Sequence, residues 1–220
     1  MNIFKGKRLE NFDYEYYWNS KNQKIKDNLF EREKIIFNWI KDESKVLDAA
    51  VGNSFLPVCL KEKKKCEVYV RDVARGVLDQ YRSLGIQAEV RNIYDANDDG
   101  TDNYDYIVMS EVLEHLAMPE DVIKKMSKIS KFLVITIPNS AFYRFRLQLL
   151  FGRFLKQWVL HPSEHLRFWS HSDFIDWLEV LDFEVEKCEA SNGLDIGPLK
   201  LFKYFPNLCG HQICYLVKKR

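Results

Sequence analysis

What most constrains this chain is an alternation. Short, almost unbroken apolar runs that end on a polar residue are separated by stretches with helical spacing. "KVLDA" (45–49), "CEVYVRD" (66–72), "IQAEVRN" (86–92), "YDYIVMS" (104–110) and "FLVITIP" (132–138) are rich in β-branched residues and too short for helices. "FLPVCLKEK" (55–63), "GVLDQYRSLG" (76–85) and "PEDVIKKMSKI" (119–129) lie between them with helical periodicity. "NLFEREKIIFNWIKD" (28–42) precedes the first run, with Phe30, Ile35, Ile36, Trp39 and Ile40 on its inward side. "SDFIDWLEVLDF" (172–183) is amphipathic, and "FEVEKCE" and "HQICYLVKK" supply two last strands. A strand that is apolar on both sides must be covered on both faces. The expected fold is therefore α/β: a Rossmann-like, doubly wound sheet of about seven mostly parallel strands with helices on each face. Local signals agree. Ser54 is placed to cap the helix after the first strand, Pro57 falls in its first turn, and Gly85 follows the end of the next helix.

A length of 220 residues supports one well-buried core, which we place over residues 28–220 behind an N-terminal aromatic segment, 1–27. The formal net charge of +1 advertises neither nucleic acid nor a membrane surface. No stretch has the length and apolarity of a membrane span, and the first residues lack the apolar core of a secretory signal, so a cytoplasmic protein is expected. The five cysteines form no CxxC pair, which favours reduced thiols; "CGHQIC" brackets His211 but runs into a strand, and no metal site is expected.

One region breaks the alternation. From 140 to 168 the chain carries Arg144, Arg146, Arg153 and Lys156 among aromatics, with no acid before Glu164. Such interleaving suits a helical lid over a substrate cleft, its apolar side packed and its basic side wet. It also suits a grip on a membrane surface or a single strand of nucleic acid. The acid-rich 95–105 stretch reads as a solvated loop.

Ligands in doubly wound sheets bind beyond the carboxyl ends of the strands, where the strand order reverses. Asp48 closes the first strand before a turn through Gly52, Asp72 closes the second, and Asn92 followed by Ile93 closes the third. A carboxylate after the second strand can accept from two ribose hydroxyls, and a polar group beside an apolar one after the third can hold adenine. The G-x-G-x-x-G spacing that lets backbone amides meet a pyrophosphate is absent, and Asp48 would repel phosphate. A ligand bearing an amine and a sulfonium fits this loop better than a dinucleotide.

The ordered motifs "VLDAAVGNS", "VYVRDVA", "VRNIYD", "YDYIVMSEVLEHL" and "FLVITIPN" resemble the class I S-adenosylmethionine-dependent methyltransferases over roughly residues 28–217. "EREKIIFNWIKDESKVLD" and "IPNSAFYRFRLQLLFGRF" are similar to the MetW-like group within them. The resemblance implies S-adenosylmethionine as cofactor, with Asp48, Ala50 and Gly52 under its methionine part. It implies Asp72 and Val73 at the ribose, Asn92 and Ile93 at the adenine, and Ser110 and Glu111 beside the sulfonium. The glycine positions of the family loop hold Ala50, Gly52 and Ser54 here, so the loop is poorer in glycine than its pattern; Arg71 stands where it could pair with Asp72. His115 and His165 are candidates for a base or an acceptor-lining group, with His161 and His171 nearby. "SEVL" replaces the Pro-Pro-aromatic signature of enzymes that methylate nucleic-acid bases, so a small-molecule acceptor is expected and nucleic acid is not. Two functions remain open: methyl transfer to a metabolite or sugar-like acceptor, and a MetW-like regulator that binds a partner enzyme or itself and has little or no transfer activity.

Overall fold

Successive residues of a strand point to opposite faces, and here both faces are apolar. In a computed structural model describing residues 24–95, 103–157 and 164–220, Leu47, Ile107, Met109, Leu133 and Ile135 enter one core while Val46, Val108, Val134, Val68 and Val70 enter the other. Tyr14, Tyr16, Tyr17 and Trp18 of the expected aromatic segment lie outside the described residues, as do Trp158, His161 and most of the acid-rich loop.

The strands are β1 (Lys45–Asp48), β2 (Glu67–Asp72), β3 (Gln87–Val90), β4 (Tyr104–Ser110), β5 (Ser130–Pro138), β6 (Phe183–Gly193), β7 (Asp195–Ile196), β8 (Leu199–Lys200) and β9 (Gly210–Lys219). Seven of them form one sheet in the order β3-β2-β1-β4-β5-β9-β6, and β7 and β8 form a small separate ribbon. β1 through β5 pair in parallel. β9 runs against both its neighbours, β5 and β6. The order reverses at β1, which places a crevice above the carboxyl ends of β1, β2 and β4.

α1 (Glu31–Trp39), α2 (Leu56–Lys64) and α3 (Arg75–Ser83) cover one face through Ile36, Leu56, Leu60, Leu78 and Tyr81. α4 (Pro119–Met126) and α6 (His171–Val180) cover the other through Val122, Ile123, Met126, Phe174 and Leu178. Phe30 was expected inward but is 39% exposed: it sits at the N-cap, ahead of the helical face set by Ile35, Ile36 and Ile40. Pro57 lies in the first turn of α2 as expected, but the N-cap is Phe55 rather than Ser54, because the helix starts one residue later; Ser54 Oγ accepts from the Leu56 amide at 3.1 Å from outside the helix. Gly85 ends α3 at φ 67°, where its missing Cβ avoids the left-handed penalty.

Among the described residues of the anomalous region the regular helix is α5 (Tyr143–Leu150), whose inward residue Phe145 packs with Phe142 and Leu155 in a small core of its own. α7 (Leu201–Tyr204) and α8 (Pro206–Cys209) follow the β7–β8 ribbon. The described cysteines are all free thiols. Among the described residues no helix is long and apolar enough to cross a membrane.

Candidate functional site

The turn after β1 is gripped from four elements. The Ala49 amide bonds Val108 O at 2.9 Å and the Val51 amide bonds Arg71 O at 3.1 Å, which stitches the turn to β4 and β2. Gly52, at φ 51°, donates its amide to Asp72 Oδ2 at 2.9 Å. From α3, Tyr81 Oη donates toward Gly52 O at 3.1 Å and Ser54 O at 2.6 Å. From α1, the buried Glu33 accepts Ser54 Oγ–H at 2.7 Å on one oxygen and the Phe30 amide at 2.8 Å on the other. A loop poor in glycine is thus shaped by side chains.

Two carboxyls flank it. Asp48 is 4% exposed and its Oδ1 has no hydrogen-bond partner. Burial, then the charges of Glu33 and Asp72, push it up to about 8 despite a bond from the Ala50 amide. Asp72 is also buried and raised, chiefly by desolvation, although the amides of Ala74, Gly52 and Val73 favour its anion. Its Oδ1 accepts the Ala74 amide at 3.0 Å. A carboxylate oxygen has more than one lone pair, so these bonds leave acceptor capacity. Arg71 turns to the far side of β2 and pairs with Glu89 at 2.9 Å.

A cavity of about 350 Å³ opens above, lined by Ala49, Ala50, Gly52, Asp72, Val73, Arg91, Asn92, Ile93, Tyr94, Glu111, Val112, His115, Leu116 and Glu164. Seven of the predicted positions therefore converge: Ala50, Gly52, Asp72, Val73, Asn92, Ile93 and Glu111, together with His115. Asp48 is not part of the lining, although its neighbours Ala49 and Ala50 are. Ser110 stands outside it, with Oγ bonded to Arg32 Nε at 3.2 Å and Thr136 Oγ1 at 3.0 Å. His165 packs edge-on behind His115, ring centroids 4.7 Å apart, and is not part of the lining.

Glu111 adopts φ 58°, a conformation that costs a non-glycine residue about 1–2 kcal/mol. It is held there because its amide bonds Thr136 Oγ1 at 3.0 Å while its carboxylate accepts from Thr136 Oγ1 at 3.2 Å and Gln212 Nε2 at 2.9 Å. His115 Nδ1 bonds Glu164 O at 2.6 Å, which brings the 164–167 segment against the cavity wall. Burial lowers His115, and burial with the neighbouring His115 charge takes His165 down to about 4. Sequence reasoning missed Glu33, Tyr81 and Gln212. Tyr81 alone left a signal, a tyrosine on the inward face of a predicted helix.

The reversal at β1, the single antiparallel strand β9 and the crevice above β1, β2 and β4 together define the class I methyltransferase fold. Within that fold the chain belongs to the MetW family: the sequence profile described as "Methionine biosynthesis protein MetW" matches residues 31–217. Comparison with curated protein sequences gives no match. Among solved structures, the chain is similar to one from the Haloferax volcanii complex between the Trm112 methyltransferase activator and a methyltransferase, at TM-score 0.67 and 12% identity over 95% of this chain and 98% of that one. It is similar to a TehB-like SAM-dependent methyltransferase from Corynebacterium glutamicum, at TM-score 0.59 and 15% identity over 94% and 96%. The [4+2]-cyclase SpnF is also similar, at TM-score 0.60 and 9% identity over 85% and 79%, so the fold by itself does not fix a reaction.

Proposed function

We propose that this protein is an S-adenosylmethionine-dependent methyltransferase acting on a small-molecule acceptor, with the cofactor held over β1, β2 and β4. One observation carries the reading: a cavity of about 350 Å³ is lined by Ala49, Ala50 and Gly52 of the turn that follows a buried carboxyl, Asp48, whose Oδ1 has no partner. Ligand pockets run from about 300 Å³ upward, so the space suits one nucleoside-sized ligand. A buried carboxylate oxygen left without a hydrogen bond is costly unless a cationic or donor group meets it. S-adenosylmethionine carries both such groups, and the residues fit it: Asp72 at its ribose, Asn92 and Ile93 at its adenine, Glu111 toward its charged end.

When bound, this cofactor supplies a methyl group activated by its sulfonium. The chain's own work is alignment and exclusion of water. Val112, Leu116 and Ile93 provide apolar walls. His115, oriented by Glu164 O, is the wall residue able to take a proton from an acceptor, and His165 backs its ring rather than reaching the cavity. The segment 140–168 is proposed to roof the acceptor side; among its described residues, Glu164 supports this by lining the cavity.

A second reading, a regulator of a partner enzyme, is favoured by the exposed apolar residues of α5 and its exit, with Leu150 76% and Phe151 78% exposed. Titration calorimetry with S-adenosylhomocysteine separates the two. Micromolar binding that is lost in Asp72→Ala supports the enzyme. No binding at millimolar ligand refutes it.

A further inference from the structure

At the cavity wall lies a cluster that shares His115 with the proposed acceptor side, while its other two members, Glu114 and His165, have no part in methyl transfer. Glu114 is 1% exposed, and neither of its carboxylate oxygens has a hydrogen-bond partner. His115 Nε2 stands 4.0 Å from Glu114 Oε1. His165, edge-on to His115, has a buried Nδ1 without a partner. One donor atom from each of the three residues lies within 4.8 Å of the others.

We propose that Glu114, His115 and His165 form a binding site for a divalent cation of the zinc type. Two imidazoles and one carboxylate are a donor set that zinc accepts while keeping a position open. With bonds of about 2.1 Å, tetrahedral donors stand about 3.4 Å apart, so the side chains close by roughly 1 Å on binding. The arrangement is built to hold them. His115 gives its Nδ1 to Glu164 O at 2.6 Å, which fixes the ring and leaves Nε2 as the donor facing Glu114. The two ligand-bearing segments are clamped by backbone, because Glu114 O accepts the amides of Leu166 at 2.7 Å and Arg167 at 3.0 Å. An ion would also resolve the otherwise costly burial of the Glu114 carboxylate. Access is through the cavity, where the His115 side chain is 23% exposed.

The test uses the full chain, stripped with a chelator, and the metal alone. Zn²⁺ is titrated by calorimetry, and Co²⁺ is followed by its visible absorption. The expected result is one ion per chain, a cobalt spectrum of low coordination number without a thiolate band, and a rise in Tm with Zn²⁺. Glu114→Gln and His165→Asn should each weaken binding more than about a hundredfold, beyond the loss that an orienting partner alone would bring. Circular dichroism confirms that each variant is folded, and either one suffices if the other is not. Cys188 and His171, whose Sγ and Nδ1 are 4.0 Å apart, are the competing site. Binding that survives both variants but is lost in Cys188→Ser, or no stoichiometric binding in the parent chain, overturns the proposal.

Discussion

The sharpest prediction concerns Asp48→Asn. Burial holds the Asp48 carboxyl near 8 in the folded chain, against 3.8 for a free aspartate. Facing it are Glu33 from α1, Asp72 from β2 and Tyr81 from α3, and among the described residues only the Ala50 amide favours the anion, with no cation acting on it. The sign follows from proton uptake. Between pH 3.8 and 8 the unfolded chain has lost this proton and the folded chain keeps it, so stability falls as pH rises across that window by about 1.4 kcal/mol per unit. Between pH 5 and pH 7 the drop attributable to Asp48 is therefore about 2–3 kcal/mol, and the asparagine variant lacks it. Urea unfolding of both proteins at the two pH values reads the difference directly. Ligand binding offers a second readout. At pH 7 most chains carry the Asp48 proton, and a cationic ligand expels it, while the ligand's own α-amine takes up only about 0.1–0.2 proton. Calorimetry of S-adenosylmethionine in buffers of different ionisation enthalpy should show net proton release, absent in Asp48→Asn. Equal pH slopes for the two proteins, or no buffer dependence in the parent chain, would refute this account of the buried acid.

Other changes probe the same loop and the frame behind it. Ala50→Gly should tighten S-adenosylhomocysteine by about 5-fold or more in calorimetry if its methyl group crowds the ligand, since a misplaced methyl costs about 1–3 kcal/mol. Tyr81→Phe removes the donor to Gly52 O and Ser54 O and should lower stability by about 1–2 kcal/mol in urea unfolding, with weaker ligand binding. Gly193→Ala should lower stability by about 3 kcal/mol, a Tm fall of about 6–12 °C, because the added Cβ would stand 2.2 Å from Cys209 O and 2.5 Å from Phe202 Cβ. Asn139→Leu should be similarly damaging: the buried amide donates to Pro206 O, Asn207 O and Gly210 O and accepts from the Ala141 and His171 amides, all of which it would orphan.

The sheet was legible because its strands carry apolar residues on both sides, a pattern that few other packings satisfy. The rim of the cleft was legible for the same reason: Asp72 and Asn92 follow strands whose ends the pattern located well. What escaped notice depends on contacts distant in sequence. Nothing near Ser110 reveals that Arg32 and Thr136 claim its hydroxyl, and nothing near Arg71 names Glu89, which lies one strand over. His165 meets His115 only because the chain returns across the wall after 50 residues, so the grouping with Glu114 is invisible to local spacing. The β7–β8 ribbon and the short helices after it come from "LDIGPLKLFKYFPNL", where apolar residues follow neither period.

Glu33 ties the start of α1 to the ligand-side turn by capping the one and holding Ser54 of the other. Where a shortened version of this chain is cut therefore matters well beyond the residues removed. A truncation that begins past residue 33 would keep every strand yet unfasten the floor of the cleft, and a stable but ligand-blind fragment is what such trimming should yield.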